Sequence, residues 1–147
     1  MRMTIQDIQQ QIIEEFAIFD NWLDKYEYII DLGKNLEPIA EEEKVDENLI
    51  KGCQSRVWLV CEEATENEDD GGVKKLLHFR ADSDAIITKG IISLLIRVFN
   101  NQTPKDILDA NLTFLEEIGL KENLSPTRAN GLVSMLSRIR LYAAEHC

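Results

Sequence analysis

The chain has 147 residues, 44% of them hydrophobic, and carries 27 acidic against 16 basic side chains for a formal charge of −11. That length suffices for one ordinary core, so a single domain spanning 1–147 is expected, and the apolar share excludes a disordered chain. The charge disfavours nucleic acid and acidic lipid surfaces; it steers in protein partners with basic patches and serves solubility equally well.

No apolar run approaches the roughly 20 residues of a membrane span. Met1 to Phe16 is too polar and acidic for a signal peptide. The expectation is a cytoplasmic protein whose cysteines, Cys53, Cys61 and Cys147, are free thiols.

The first element reads as a helix. Thr4 caps it, with Asp7 three residues on, and Ile5, Ile8, Ile12, Phe16 and Phe19 recur at helical spacing. Asp20 is placed to cap a second helix carrying Trp22, Leu23, Tyr26 and Ile30, with Gly33 as its stop. Lys34 to Ile50 holds Pro38, the run Glu41-Glu42-Glu43 and no sustained period, which predicts an ordered loop with a short strand at Asn48 to Lys51. Ser55 to Glu62 alternates, Val57, Leu59 and Cys61 against Arg56, Trp58 and Val60, and predicts a strand. Val73 to Ala81 is its hairpin partner, across an acidic turn from Glu63 to Asp70-Gly71-Gly72.

Ser83 is expected to cap a long helix from Asp84 to Asn100, with Ile87, Ile91, Leu94, Leu95 and Val98 inward. Thr103-Pro104 with Asp106 starts a short helix, and Phe114 to Ile118 forms a helical turn ended by Gly119. Ser125-Pro126 starts the last helix, which runs to about Glu145 with Leu132, Met135, Leu136, Ile139 and Tyr142 in its stripe. Helices, hairpin, helices in that order predict an α+β fold, a small antiparallel sheet packed on a helical layer.

Chemistry has few places to sit. There is no phosphate loop, no dinucleotide fingerprint and no C-x-x-C pair. His78 lies on a strand and His146 at the tail, neither beside an obvious serine, so no metal ligand set and no triad is assigned. Cysteine is by default a small buried hydrophobe, and Cys61 fits that default because it continues the Val57 and Leu59 face. Cys53 does not. It stands between Gly52 and Gln54-Ser55 just outside the strand, where a thiol near the surface acts as a nucleophile if its thiolate is stabilised. Lys51, Arg56 and Arg128 are candidate cationic helpers. From spacing alone, a reactive and an inert Cys53 stay equally open.

Lys51-Gly52-Cys53-Gln54-Ser55-Arg56-Val57-Trp58 resembles the signature of the SufE family of cysteine desulfuration proteins. Asp82-Ser83-Asp84-Ala85, Lys89-Gly90, Thr103-Pro104 and Leu124-Ser125-Pro126-Thr127-Arg128-Ala129-Asn130-Gly131 are similar to further elements of that family. The resemblance covers about Ile5 to Tyr142; the long acidic hairpin turn and the thiols of Cys61 and Cys147 depart from the pattern. It implies a fold like that of the iron–sulfur scaffold proteins. It implies that Cys53 accepts persulfide sulfur from a cysteine desulfurase, stimulates that enzyme and passes the sulfur to an iron–sulfur scaffold complex, without being a self-sufficient enzyme. Pyridoxal phosphate is then expected on the partner alone and no cofactor here.

In that role Gly52, Gln54, Ser55 and Arg128 support Cys53. Gly52 permits unusual backbone angles and Gln54 and Ser55 donate hydrogen bonds to sulfur. Asp82 and Asp84 are partner-interface candidates and, by the physics of a helix start, capping groups. The main alternative is a metal or iron–sulfur cluster scaffold using Cys53, Cys61 and a histidine. A thiol enzyme and a plain adaptor are further rivals, and a homodimer stays open.

Overall fold

The computed structural model describes residues 3–146. Cys147, and with it any role for that thiol, lies outside the described residues.

Helix α1 (Ile5–Phe16) starts at Thr4, whose Oγ accepts from the Asp7 backbone N–H at 3.1 Å, and buries Ile5, Ile8, Ile12 and Phe16. Phe19 falls beyond its end and stacks on Phe16 and Tyr28 instead. Helix α2 (Trp22–Lys34) is capped by Asn21 rather than Asp20, the Asn21 side chain accepting from Asp24 N–H at 2.9 Å. Its inward residue is Ile29, while Leu23 is 66% exposed.

Gly33 does not stop α2. It lies inside the helix and lets it cross helix α3 (Ile86–Phe99) at backbone contact. A Cβ on Gly33 would lie 2.7 Å from the Gly90 nitrogen, and one on Gly90 would lie 2.2 Å from the Ile29 carbonyl oxygen. The two glycines thus set how closely α2 approaches the central helix of the core, whose predicted inward residues Ile87, Ile91, Leu94, Leu95 and Val98 are all buried.

Strands β1 (Val57–Asn67) and β2 (Val73–Ser83) form a two-stranded antiparallel hairpin in register Val57↔Ser83 to Asn67↔Val73. The strands run further than predicted: the acidic Glu63 to Asn67 continues β1, and the turn shrinks to residues 68–72. Val57, Leu59, Leu77, Phe79 and Ala81 face the helices. This is the α+β arrangement of a small sheet on a helical layer.

The loop from 35 to 50 is ordered, as expected from its position. Arg80 forks onto Glu43, 2.8 and 2.7 Å, and also pairs with Glu62, so β2 holds the loop down; Arg80 with the Ala40 N–H draws the Glu43 carboxyl down to about 2. The short strand expected at Asn48 to Lys51 reduces to one bridge, Leu49 with Trp58, plus the Ile50 N–H on the Val57 carbonyl at 2.8 Å.

After α3, helix α4 (Pro104–Asp109) is capped by Thr103, and α5 (Phe114–Glu117) ends at Gly119. A further short helix, α6 (Leu120–Asn123), precedes α7 (Pro126–Glu145), which Ser125 caps by accepting from Arg128 N–H at 3.2 Å. Buried Gln9 of α1 supplies the start of α5: its Oε1 accepts from Thr113 and Phe114 N–H at 2.9 and 3.2 Å. Along α7, Leu132, Met135, Ile139 and Ala143 enter the core, with Leu136 and Tyr142 at its margin.

Replacing Gly90 with alanine forces a methyl into the Ile29 backbone. The expected loss is about 2 kcal/mol of stability, the overpacking range, read from urea unfolding, whereas Leu23→Ala on the exposed side of α2 stays within about 0.5 kcal/mol.

Candidate functional site

The segment from Gly52 to Ser55 leaves the β1 register and lies against the first turns of α7. Gly52 has φ 95, and a Cβ built there would sit 2.3 Å from Ser134 Oγ, so both the backbone angle and the approach to α7 call for glycine. The next residue, Cys53, is half-buried, and its thiol donates to the Gly131 carbonyl at 3.6 Å. Gly131 is buried, and its Cβ would stand 3.4 Å from Cys53 Sγ. An absent side chain on the second turn of α7 therefore makes the bed on which the sulfur rests.

Three of the sequence motifs meet here. Arg56, where β1 begins, is clamped by the segment that follows β2. Its N–H donates to Asp84 Oδ1 at 3.0 Å; its carbonyl accepts from Ser83 Oγ at 2.8 Å and from Asp84 N–H at 3.2 Å. Neither Ser83 nor Asp84 caps α3, whose N-cap is Ala85 without a side-chain bond; the expected capping role gives way to fastening the cysteine loop. Asp82 is held by Ser83 N–H at 2.8 Å and by Lys44 and Lys89 at 3.1 and 3.2 Å. Burial pushes its carboxyl up, but those donors prevail and hold it below the ordinary range. Lys44 also lies over the Trp58 ring, 5.6 Å from its centroid.

Beneath Cys53 is a cavity of about 70 Å³ lined by Cys53, Gln54, Ser55, Thr88, Arg128 and Met135 among others. Of the predicted site residues, Cys53, Gln54, Ser55 and Arg128 line this cavity; Gly52 is outside the lining, against Ser134, and Asp82 and Asp84 stand outside it at the root of the loop. The Gly131 carbonyl, Thr88 and Met135 were not picked out from sequence as site residues, Met135 having been read only as core. One signal did point at Gly131: a glycine inside a long helix carries a cost of about 1 kcal/mol and needs a packing reason.

No cation is seated on the sulfur among the described residues. Burial pushes the Cys53 thiol above its ordinary value. Cys61, on the predicted face of β1, is half-buried rather than buried; burial and then Glu63, Glu62 and Glu145 push it up to about 12. Among the described residues, no group of three or more His, Cys, Asp and Glu is arranged to hold a metal ion, and no helix is long and apolar enough to cross a membrane.

A family model described as SufE, Fe-S metabolism associated domain, matches residues 10–143. This chain belongs to the SufE family. SufE-like proteins of Rhizobium meliloti and Rhizobium etli are each 42% identical to it over 132 residues, 88% of this chain and 90% and 85% of their own lengths. In fold it is similar to the solution structure of a hypothetical protein from Thermus thermophilus, with a TM-score of 0.65 at 21% identity over 94% of both chains. Membership in the SufE family gives the chain a role in iron–sulfur metabolism.

Both thiols hold their protons more tightly in the folded chain than in the unfolded one. Their contribution to stability is therefore complete below the unfolded thiol value of about 8.5 and is lost as pH climbs beyond it. Iodoacetamide labelling followed site by site across pH is expected to give a Cys53 midpoint above that value and a Cys61 midpoint near 12. A Cys53 midpoint at or below the free-thiol value contradicts the sheltered geometry.

Proposed function

We propose that this SufE protein accepts a sulfur atom on Cys53 from the persulfide of a pyridoxal-phosphate cysteine desulfurase, raises that enzyme's turnover, and delivers the sulfur for iron–sulfur cluster assembly. The observation that carries the reading is the convergence of the separate motifs on one thiol. Gly52 and Gly131 set the Cys53 sulfur in a small cavity, and Ser83 and Asp84 fasten the end of its loop.

The chemistry is sulfur exchange. Cys53 loses its proton, and its thiolate attacks the terminal sulfur of the donor persulfide in line with the S–S bond. That bond breaks, and its electron pair leaves on the donor cysteine sulfur, now a thiolate. The terminal sulfur ends bonded to Cys53 as a persulfide. Atoms and electrons balance with no added oxidant or reductant, and no cofactor is needed on this chain.

At rest the sheltered, protonated thiol is a poor nucleophile. The holding contact is weak, because S–H is a weak donor. The Arg56 clamp, by contrast, combines two ordinary hydrogen bonds, each worth about 0.5–1.5 kcal/mol, with one to the Asp84 carboxylate, about 1.5–3 kcal/mol. The Gly52–Ser55 segment therefore lifts from Gly131 while its exit stays fixed, which presents Cys53 to a partner. Once lifted, the thiol regains water and its proton is released more readily. Gln54 and Ser55 travel with the sulfur and donate to it, and Arg128 meets the anionic persulfide on its return to the cavity.

The experiment is desulfurase turnover of cysteine with and without this chain. Wild-type protein is expected to raise sulfide release under reductant, Cys53→Ser to reduce the stimulation to background with its melting temperature unchanged, and Cys61→Ser to stimulate like wild type. Full stimulation by Cys53→Ser contradicts the proposal.

A further inference from the structure

Three polar side chains are buried among the described residues: Gln9, Thr88 and Gln102. Gln9 holds the start of α5, and Gln102 donates to the Met3 carbonyl at 2.9 Å. Thr88 differs. It is 7% exposed, and its hydroxyl has no hydrogen-bond partner among the described residues. A hydroxyl inside a helix ordinarily turns back onto a carbonyl of the preceding turn. Ser93 on the same helix does so, donating to the Gly90 carbonyl at 2.7 Å. Thr88 instead lines the cavity under Cys53. Burying a hydroxyl without a partner is costly, so this one calls for a group that enters the cavity and pairs with it.

The rest of the lining suits a sulfur. Ile91 and Met135 add apolar surface, and Gln54, Ser55 and Arg128 add polar groups. The space is about 70 Å³, several times the roughly 10–15 Å³ that one water requires. An S–S bond of about 2.05 Å keeps a second sulfur close to Sγ, and the cavity has room for it. The two forms of the cysteine need opposite partners. The resting thiol donates, and the Gly131 carbonyl accepts from it at 3.6 Å. A persulfide anion carries its charge on the terminal sulfur and can only accept. A carbonyl offers it nothing, whereas a hydroxyl can donate, and Thr88 is the buried hydroxyl of this lining.

We infer that Thr88 is a positioning residue for the transferred sulfur: in the loaded chain its hydroxyl donates to the terminal sulfur of the Cys53 persulfide and holds that anion within the cavity. The inference rests on the sulfur-acceptor reading and adds a residue that none of the sequence motifs contains. It adds no chemical step, since Thr88 keeps its proton and every bond change is complete once the persulfide has formed. A hydrogen bond to the charged form favours that form, so the terminal sulfur ionises at lower pH with Thr88 beside it than without.

The test compares the full chain with T88V, of nearly the same shape and without the hydroxyl, and with T88S, which keeps it. Each is loaded without a partner protein. Cys53 is first converted to a mixed disulfide with an aromatic thiol; inorganic sulfide then attacks the Cys53 sulfur, the aromatic thiolate leaves, and the persulfide remains. Iodoacetamide labelling of the terminal sulfur is followed across pH by mass spectrometry of the Cys53 peptide. The labelling midpoint of T88V is expected about half a pH unit or more above that of wild type. Cyanide is expected to strip its sulfur at least about threefold faster, and T88S to restore both values. Circular dichroism melts check folding, and Thr88→Ala repeats the comparison if T88V melts early. Wild-type behaviour of the variant without the hydroxyl, or T88S matching T88V, overturns the inference. Loading by a cysteine desulfurase and free cysteine is measured alongside. A wild-type chain that takes up no sulfur there defeats the acceptor reading; uptake on Cys53 with no effect of T88V defeats the Thr88 inference alone.

Discussion

Everything about this molecule's chemistry depends on a loop pressed flat against a helix. The approach is set by two missing side chains. Gly52 adopts a backbone angle and a distance to Ser134 that a methyl group would forbid, and Gly131 leaves room for a sulfur atom over the α7 backbone. The helix that forms this bed is itself set by Ser125 and Pro126 at its start and by Leu132, Met135 and Ile139 in the core. The loop's far end is set by Ser83 and Asp84, whose own position follows from the hairpin register that pairs Val57 with Ser83. Sheet, central helices and last helix thus all contribute to the place of one thiol.

The strengths of these attachments are unequal. The core beneath is apolar and close-packed, with α2 and α3 in backbone contact at Gly33 and Gly90. The Arg56 clamp uses backbone groups and a carboxylate. The thiol's own contact is a single weak donor on a carbonyl. The weakest of these attachments is the one at the thiol itself, which is the contact that the proposed transfer of sulfur has to break.

Much of this was legible in the sequence because the decisive elements are periodic or punctuated. The stripes of α1, α3 and α7, the Thr4, Thr103 and Ser125 caps and the hairpin all follow from spacing and turn chemistry. What escaped reading is non-local. Asn21 replaces Asp20 as cap through local backbone geometry, which one residue of sequence does not distinguish. Gly33 reads as a helix stop because nothing in the chain announces that Gly90 will lie against it. Gln9, an ordinary polar residue in a polar run, becomes the cap of a helix more than a hundred residues away. At the site, Cys53, Gly52, Gln54, Ser55 and Arg128 were identified by motif and meet in space. Asp82 and Asp84 were singled out by motif as partner-interface candidates; the helix-capping role read beside that does not appear, since Asp84 binds the Arg56 N–H and Asp82 pairs with Lys44 and Lys89. The Gly131 carbonyl, a backbone atom, leaves no side-chain signature.

Carboxylates are spread along the hairpin and helix surfaces, where they pair with many of the nearby cations, while Arg128 lines the thiol's cavity with no ion pair among the described residues. The account's central claim is that Cys53 itself carries the transferred sulfur. The most direct measurement is peptide mass spectrometry after the full chain meets a cysteine desulfurase and free cysteine without reductant. One added sulfur atom on the peptide containing Cys53 is the predicted result; sulfur found on Cys61 or Cys147 with Cys53 unmodified, or found nowhere, contradicts it.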